Sequence, residues 1–348
     1  MTTEKRILLP EENENLRYYR ANLHCHSTIS DGNKTPEQLK ADYQAHGYSV
    51  VAFTDHEAFI PHNDLTDDSF VALNGYELAV GEKAPEGAPF SRTAHMCFVA
   101  LDPDTELDVC HHRTRHIKEK NRPLVKFDES LPDYERVYGG EGVSDMMRKG
   151  REGGFFVTYN HPTWSLESYP QYMSYDNMNA MEIVNFGCVI VGYDDDNGHC
   201  YDDMLRGGKR IFCVATDDNH NRYPDTTPDC DSYGGYTMIA AEKLDYRSIT
   251  ASLTEGRFYC AAGNYRHVGP KILSLVYEDG KVTVKTSPVK RICYMTGRRH
   301  CANKEAHCGE YVSEATFDVA EGDVWFRLTA ADEGGYKAYT NAYFVDQL

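Results

Sequence analysis

The residues of this 348-residue chain that are best suited to chemistry are histidines and acids placed where predicted strands end. The segment that begins at Asn22 reads His24-Cys25-His26, and alternate side chains of an extended strand share one face. We therefore expect the two imidazoles to point the same way, with Cys25 on the other face as a small core residue. The full set of candidates is His24, His26, Asp31, His56, Glu77, His95, His161, Asp218 and His220.

Nine mixed nitrogen and oxygen ligands suit borderline divalent cations such as Zn²⁺, Mn²⁺ or Fe²⁺. The all-oxygen cage expected for Ca²⁺ or Mg²⁺ does not fit this set. Three or four protein ligands for each ion leave an open position for water or substrate, as a catalytic metal requires. The sequence therefore predicts a cofactor of two to three divalent metal ions.

The first elements that must position these residues form a strand-helix-strand unit. A strand is predicted over residues 20–26. A helix follows that starts at Thr35, with Pro36 in its first turn and Gln38 completing a capping box. A second strand over residues 49–53 ends in Thr54-Asp55-His56. The candidate ligands therefore gather at the carboxyl ends of two strands, which is where parallel barrels carry their chemistry.

The same alternation continues along the chain. Further strands are predicted over residues 70–73, 93–101, 155–159, 180–186, 210–215 and 236–241, and helices over residues 144–152, 201–205 and 246–254. Strands that alternate with helices predict a parallel sheet with crossover helices. Residues 102–140 are irregular for a connection of this kind.

These motifs resemble a known family. His24-x-His26, Asp31-Gly32 and a strand that ends in Thr54-Asp55-His56 are similar to the opening of the PHP (polymerase and histidinol phosphatase) superfamily. The resemblance implies a distorted (β/α)7 barrel over residues 1–268, with metal ions at the carboxyl end of its strands and activity on phosphate esters. It implies three ion sites, formed by His24, His26, Glu77 and Asp218, by Glu77, His95 and His161, and by Asp31, His56 and His220.

The pattern changes from about Gly269. Alternating residues at 272–277 and 281–285 flank the turn Asp279-Gly280 and predict a hairpin. Further strands are predicted over residues 291–295, 315–319, 324–330 and 339–345. Residues 269–348 are therefore predicted to form a small all-β domain. Its closing residues 339–343 resemble the β-sandwich tail of the CehA/McbA-like branch of the superfamily, a branch that includes amide and carbamate hydrolases, and the resemblance implies a sandwich-like domain.

Several assignments have alternatives. Spacing favours Asp218 over Asp217 as a ligand, because Asp218 and His220 share a face in an extended segment. Asp217 or Asp55 could instead orient a ligating imidazole. The basic residues 111–116 are either a solvated loop or a lid that brings Arg113 or Arg115 to a substrate phosphate. Two His-Cys pairs, His300-Cys301 and His307-Cys308, could form a zinc site, although their spacing is unlike that of a finger.

Composition narrows the class of partner. The formal net charge is −18, and proteins that bind long nucleic acid need a cationic face. No apolar run approaches the ~20 residues of a membrane helix, and the first residues lack an apolar signal core. The eleven cysteines show no framework spacing. We expect a cytoplasmic protein with no membrane or long nucleic acid as partner, and the family resemblance implies a small anionic, phosphorylated substrate.

The resulting hypothesis is a metal-dependent phosphoesterase that hydrolyses a phosphomonoester or nucleotide with metal-activated hydroxide at a di- or trinuclear site. The predicted catalytic residues are Glu77, Asp218, His220 and Arg222, the last as a contact for substrate phosphate or leaving group. One alternative is an amide or carbamate hydrolase on the same site. Another is a non-catalytic binding module stabilised by metal.

Overall fold

The computed structural model describes residues 5–264 and 266–348, and the chain is mixed α/β with few helices. The strands before residue 265 are β1 (Arg6–Leu9), β2 (Arg17–Asn22), β3 (Val50–Phe53), β4 (Val71–Gly81), β5 (Thr93–Ala100), β6 (Leu107–Asp108), β7 (Lys126–Phe127), β8 (Phe155–Tyr159), β9 (Ala180–Asn185), β10 (Phe212–Thr216), β11 (Gly235–Ala241) and β12 (Phe258–Ala262). The helices are α1 (Pro36–Ala45), α2 (Gly140–Glu152), α3 (Tyr169–Met173), α4 (Phe186–Ile190), α5 (Gly198–Arg206) and α6 (Tyr246–Glu255). The later strands are β13 (Ile272–Glu278), β14 (Lys281–Val289), β15 (Arg291–Thr296), β16 (Ala302–Glu305), β17 (Val312–Asp318), β18 (Trp325–Ala331), β19 (Lys337–Thr340) and β20 (Tyr343–Phe344).

Fourteen strands form one large sheet in the order β10-β9-β8-β5-β4-β3-β2-β11-β12-β19-β18-β15-β16, with β20 paired to β18. The predicted α/β class is confirmed, but the (β/α)7 barrel is not, because the sheet does not close. At the gap, the Thr237 hydroxyl of β11 donates to the carbonyl of Ala215 in β10 at 3.2 Å, where a closed barrel would have a backbone ladder.

The expectation of a wholly parallel sheet is wrong for part of this order. Strand β4 pairs in parallel with β3 through its first half and antiparallel with β5 through its second half. Strand β5 also runs antiparallel to β8, and β2 runs antiparallel to β11. The connection of residues 82–92 holds no helix, and a connection this short returns the chain as an antiparallel neighbour.

Helix α1 begins as the sequence predicts. The Thr35 side chain accepts the Gln38 N–H at 3.3 Å and the Gln38 side chain accepts the Thr35 N–H at 2.9 Å, which completes the capping box. Leu39 and Tyr43 are buried beneath the helix. Helix α2 starts four residues before the predicted position, and the short helices α3 and α4 were not predicted. Among the helices of the described residues, none combines the length and the apolar composition needed to span a membrane.

Within residues 269–348, strands β13 and β14 form the predicted hairpin. Its turn residues Asp279 and Gly280 both have positive φ (53° and 72°). A second sheet has the order β1-β13-β14-β17. The remaining late strands join the large sheet, because β19 pairs with β12. Trp325 and Tyr339 share a buried cluster with Met181 and Ile183 of β9. A domain boundary at residue 268 stays a prediction.

Candidate metal centre

The His24-x-His26 motif lies in the loop just beyond β2, which ends at Asn22 rather than at the predicted residue 26. This loop pairs with the loop after β10: His26 N–H donates to Asn219 O at 3.2 Å and Asp218 N–H donates to His24 O at 2.9 Å. The predicted common face is observed, since the two Nε2 atoms lie 3.0 Å apart. The loop pairing brings Asp218 Oδ1 to 3.2 Å from His24 Nε2 and to 3.0 Å from His26 Nε2.

Glu77 lies in the middle of β4 rather than after it, and its carboxylate is the centre of the cluster. Five imidazoles approach it, with nitrogen-to-oxygen distances of 3.3 Å for His24 Nε2, 3.5 Å for His26 Nε2, 2.9 Å for His56 Nδ1, 3.1 Å for His95 Nδ1 and 3.3 Å for His161 Nε2. The side chain is 1% exposed. The structure therefore gathers the two ligand groups that are expected to share Glu77.

The third expected group lies nearer the surface. Asp31 Oδ2 is 3.4 Å from His220 Nε2, and Asp31 Oδ1 is 3.7 Å from His56 Nε2 and 4.0 Å from His26 Nδ1. His56 lies between two groups, because its Nδ1 faces Glu77 and its Nε2 faces Asp31.

Three sets of side chains place possible ligand atoms within 4.8 Å of one another. They are His26, Asp31, His56 and His220; His24, His26 and Glu77; and His56, Glu77 and His95. The third set contains His56 where the family resemblance implies His161, although His161 Nε2 also faces Glu77 at 3.3 Å.

The geometry distinguishes Asp218 from Asp217 as the candidate ligand. Asp218 faces His24 and His26, whereas Asp217 points away from them. The Asp217 carboxylate accepts the N–H groups of residues 233–235 at 2.8–2.9 Å and the Tyr43 hydroxyl at 2.8 Å. Burial raises the pKa of Asp217 to about 6 despite these bonds. Asp217 fastens the loop before β11 rather than joining the cluster.

Asp55 likewise acts on a loop rather than directly on an imidazole. Its carboxylate accepts the backbone N–H and hydroxyl groups of Ser27 and Ser30 at 2.6–2.9 Å. The Ser30 hydroxyl lies 3.4 Å from His26 Nδ1, so Asp55 reaches that ring only through Ser30.

Sequence reasoning missed Glu182, which orients His24. Glu182 lies inside β9 and is fully buried, and its Oε1 is 2.7 Å from His24 Nδ1. Its other oxygen accepts the His161 backbone N–H at 2.9 Å. A carboxylate behind a ligating imidazole fixes the tautomer and the ring orientation. In the sequence, Glu182 is recognisable as an acid inside the otherwise apolar run Ala180-Met181-Glu182-Ile183-Val184. It was not predicted because the other candidates were identified at the ends of strands.

The closely spaced acids and histidines of the cluster shift one another's pKa values. Burial raises the pKa of Glu77, but the surrounding histidines, His24 foremost, more than offset this and hold it well below its usual range. Burial lowers the pKa of His56 and of His161, but nearby acids, Glu77 among them, raise each pKa to about 9. Burial together with nearby His56 and His220 lowers the pKa of His26 to about 4, so that its imidazole is neutral.

These residues fit a metal ion. The buried Glu77 Oε2 accepts no aligned hydrogen bond, and five imidazoles cannot all donate to one carboxylate. The unprotonated Nε2 atoms of neutral histidines are ligands for borderline divalent ions, and so are the carboxylates beside them. His24 and His161 also have polar partners on their other ring nitrogens, Glu182 and the Ser165 hydroxyl at 3.2 Å.

The cluster forms the floor of a cavity of about 300 Å³. Its mouth is lined by Trp164, Val191, Arg222 and Tyr223. Arg222 is the only lysine or arginine among the described lining residues, and its Nη2 lies 4.0 Å from Asp31 Oδ2. Its side chain is 64% exposed, so Arg222 stands at the entrance rather than over the cluster.

The two other motifs that the sequence singled out do not join the site. Arg113 binds Asp133 at 2.8 Å and Arg115 binds Glu135 at 2.8 Å, so both arginines of the basic run are paired within their own segment. Neither lines the cavity. His300 binds Asp323 at 2.9 Å. Within the described residues, the His300-Cys301 and His307-Cys308 pairs form no group of metal-ligand geometry.

No family model and no curated protein matches the sequence. Among solved structures, the chain is similar to a two-domain protein of Bacteroides vulgatus described as containing a PHP-like metal-dependent phosphoesterase, with 14% identity over 98% of this chain and 90% of the other, and a TM-score of 0.43. It is also similar to a protein of Bifidobacterium adolescentis described as a putative metal-dependent phosphoesterase, with 15% identity over 58% and 88% of the chains and a TM-score of 0.39. A third is an amidohydrolase of Chromobacterium violaceum, with 15% identity over 68% and 96% of the chains and a TM-score of 0.38. These likenesses establish no activity, and the CehA/McbA-like branch stays a prediction.

Proposed function

We propose that this chain is a metal-dependent hydrolase that cleaves a small phosphate ester, either a phosphomonoester or a nucleotide. The observation that carries the proposal is the convergence of five imidazole nitrogens on the buried carboxylate of Glu77, all within 3.5 Å. Such a dense set of nitrogen and oxygen donors at the floor of an open cavity suits two or three divalent ions.

The ligand sets implied by the family resemblance remain the proposed ones, with His56 available to two of them. When bound, the ions would act as Lewis acids and lower the pKa of water at the site. Glu77 would bridge ions and offset their mutual repulsion, because imidazoles of both sets face its carboxylate. Asp218 would complete the group formed by His24 and His26, and Glu182 would hold the His24 ring in place.

Charge favours an anionic substrate. The three carboxylates of the proposed ligand set, Asp31, Glu77 and Asp218, and Glu182 behind His24 carry four negative charges, so three bound divalent ions would leave the loaded site positively charged. Arg222 adds a guanidinium at the mouth, a geometry suited to phosphate oxygens. The cavity volume of about 300 Å³ favours a small molecule over a polymer. We keep the cytoplasm as the proposed location and propose neither a membrane nor long nucleic acid as partner.

The second candidate function is hydrolysis of an amide or carbamate. One observation favours it: Arg222 is the only lysine or arginine among the described residues that line the cavity, and the exposed Asp229 lines it as well. A mouth whose one base is offset by an acid suits a neutral acyl substrate better than a phosphate dianion. Lewis-acid chemistry serves a carbonyl as well as phosphorus.

The test is a hydrolysis screen of the metal-loaded protein across phosphomonoesters, phosphodiesters, nucleotides and amides. Glu77→Gln, purified and loaded in parallel, is the control, because any activity that it retains at the wild-type level comes from a contaminating hydrolase. We expect the highest kcat/KM on a phosphomonoester or nucleotide. Faster turnover of amides would select the second candidate, and activity equal in both proteins would contradict the proposed site.

A further inference from the structure

The irregular segment of residues 102–140, between β5 and α2, has no part in the proposed chemistry, yet it contacts the loops that carry two outer ligands. Residues 27–31 follow β2 and end at Asp31, and residues 56–60 follow β3 and start at His56. The contacts between this segment and these two loops are both polar and apolar.

The first loop is held by its backbone. Asn121 Nδ2 donates to Ile29 O at 2.9 Å, and Asn121 is buried. Lys118 Nζ donates to Ser30 O at 2.6 Å and Lys120 Nζ donates to Thr28 O at 2.8 Å. Three consecutive carbonyls just before Asp31 are therefore bound by side chains of one short stretch.

The second loop is held by Arg136. Its guanidinium binds the Glu57 carboxylate through two bonds, Nη1 to Oε1 at 2.7 Å and Nη2 to Oε2 at 2.6 Å, and Nη1 also donates to Ala79 O at 2.8 Å. Glu57 directly follows His56 and has a φ of 66°, a left-handed conformation that is uncommon for a residue with a side chain. The Glu57 N–H donates to Glu77 O at 2.8 Å. The pair ties the turn at His56 to β4, where Glu77 lies.

A small apolar cluster joins the same parts. Ile117 and Val125 of the segment are buried against Ala58, with Ile29 and Ile60 packed at the edge. The cluster is separate from the three large hydrophobic clusters of the described chain. It therefore serves contact between the segment and the two loops rather than the main core.

We propose that residues 102–140 act as a clamp that sets the geometry of the outer ligand group, Asp31, His56 and His220, with Arg136 and Asn121 as positioning residues. This inference rests on the proposed metal site. Outer partners that orient ligands commonly change metal affinity by about 10- to 100-fold when they are mutated. The inner group around His24, Glu77 and Asp218 is positioned mainly by strands and by the loop after β10, so we expect it to depend less on the clamp, although the Glu57 N–H also donates to Glu77 O.

The test is a Co²⁺ titration of the metal-free protein, followed by visible absorption and by native mass spectrometry. In Arg136→Lys, the positive charge remains but the fork that binds Glu57 is lost. We expect the weakest-binding ion to bind at least ~10-fold more weakly, with the tighter ions unchanged. The ion affected must be the one whose binding Asp31→Asn abolishes.

Arg113→Lys is the matched control. Arg113 belongs to the same segment and binds Asp133 and the carbonyls of Glu129 and Leu131, but it touches neither ligand loop. Its Co²⁺ binding is expected to equal that of the wild type. If Arg136→Lys does not fold, Asn121→Ala decides, with the same selective weakening expected.

Three results would overturn the clamp. Binding of all ions by Arg136→Lys as in the wild type would show that the fork is not needed. Equal weakening in Arg136→Lys and Arg113→Lys, or of inner and outer ions together, would show a general loss of stability. A wild type that binds no Co²⁺ would contradict the proposed function as well, whereas the first two results would leave that function standing.

Discussion

The inner and outer halves of the ligand cluster are built in different ways. The inner residues His24, His26 and Glu77 are at most 1% exposed, whereas the side chains of His220, His56 and Asp31 are 17%, 29% and 37% exposed. Glu77 lies inside β4, where it pairs with Cys97 of β5 on one side and bridges His56 on the other, and the His24–His26 loop is bonded to the loop after β10. The outer loops depend instead on side chains of a separate segment.

The inner half is therefore the more rigid part of the site and the outer half the more easily displaced. Groups held by strand ladders move little, while loops held by side chains open more easily. Electrostatic interactions are also stronger in the buried half, where water screens them less. We therefore expect the inner ions to bind tightly and to dominate the chemistry, and the outer ion to bind more weakly beside the cavity mouth. The following predictions test that contrast.

The largest effect is expected from Glu77→Gln. The change keeps the shape but removes the anion between closely spaced cations, so at least one ion should be lost. We expect kcat to fall by ~10³-fold, the scale of removing a major electrostatic term. Glu82→Gln on the following loop is the control, because Glu82 binds Arg92 and lies outside the cluster. Full metal content and near-native turnover in Glu77→Gln would refute the bridging role.

A smaller effect is expected from Glu182→Gln, which acts through His24. The amide can still meet the His24 ring but no longer offers a charged acceptor to its N–H. Metal affinity of the inner group should fall by about 10- to 100-fold, measured by competition with a chelator. Glu278→Gln, at the exposed end of β13, is the control. If Glu182→Gln lost the outer ion while the metal affinity of the inner group stayed unchanged, Glu182 would support the outer group instead of the inner one.

Asp31→Asn should remove the outer ion alone. We expect one equivalent of metal to be lost and kcat to fall by about tenfold, or ~1.4 kcal/mol in the barrier. The fall is smaller than for Glu77→Gln because the outer group is more exposed to water. Elemental analysis beside steady-state kinetics measures both quantities. Loss of every ion would show that the halves are one cooperative unit.

The smallest effect is expected in residues 269–348. His307→Ala should leave metal content and turnover unchanged, because His307 is exposed and joins no candidate ligand group of the described chain. Metal content is read by the same elemental analysis. A lost equivalent would mean that the His-Cys pairs of this region hold an ion of their own.

The sequence predicts which side chains come together better than it predicts the sheet, for a physical reason. His24, Asp31 and His56 are local signals, since each follows a strand or stands in a turn that short-range patterns reveal. Strand direction depends on long-range pairing, so the antiparallel return of β5 and the open gap between β10 and β11 were not foreseen. Glu182 was missed because its partner His24 is 158 residues away. The contacts of Arg136 and Asn121 with the ligand loops also join residues that are far apart in the sequence, so no local pattern predicts them.

We propose that two or three ions share this cluster. The metal content of the purified protein tests this most directly. Elemental analysis after purification without chelators should give two to three equivalents of transition metal per chain. A value at or below one equivalent would contradict the multinuclear site on which the account depends.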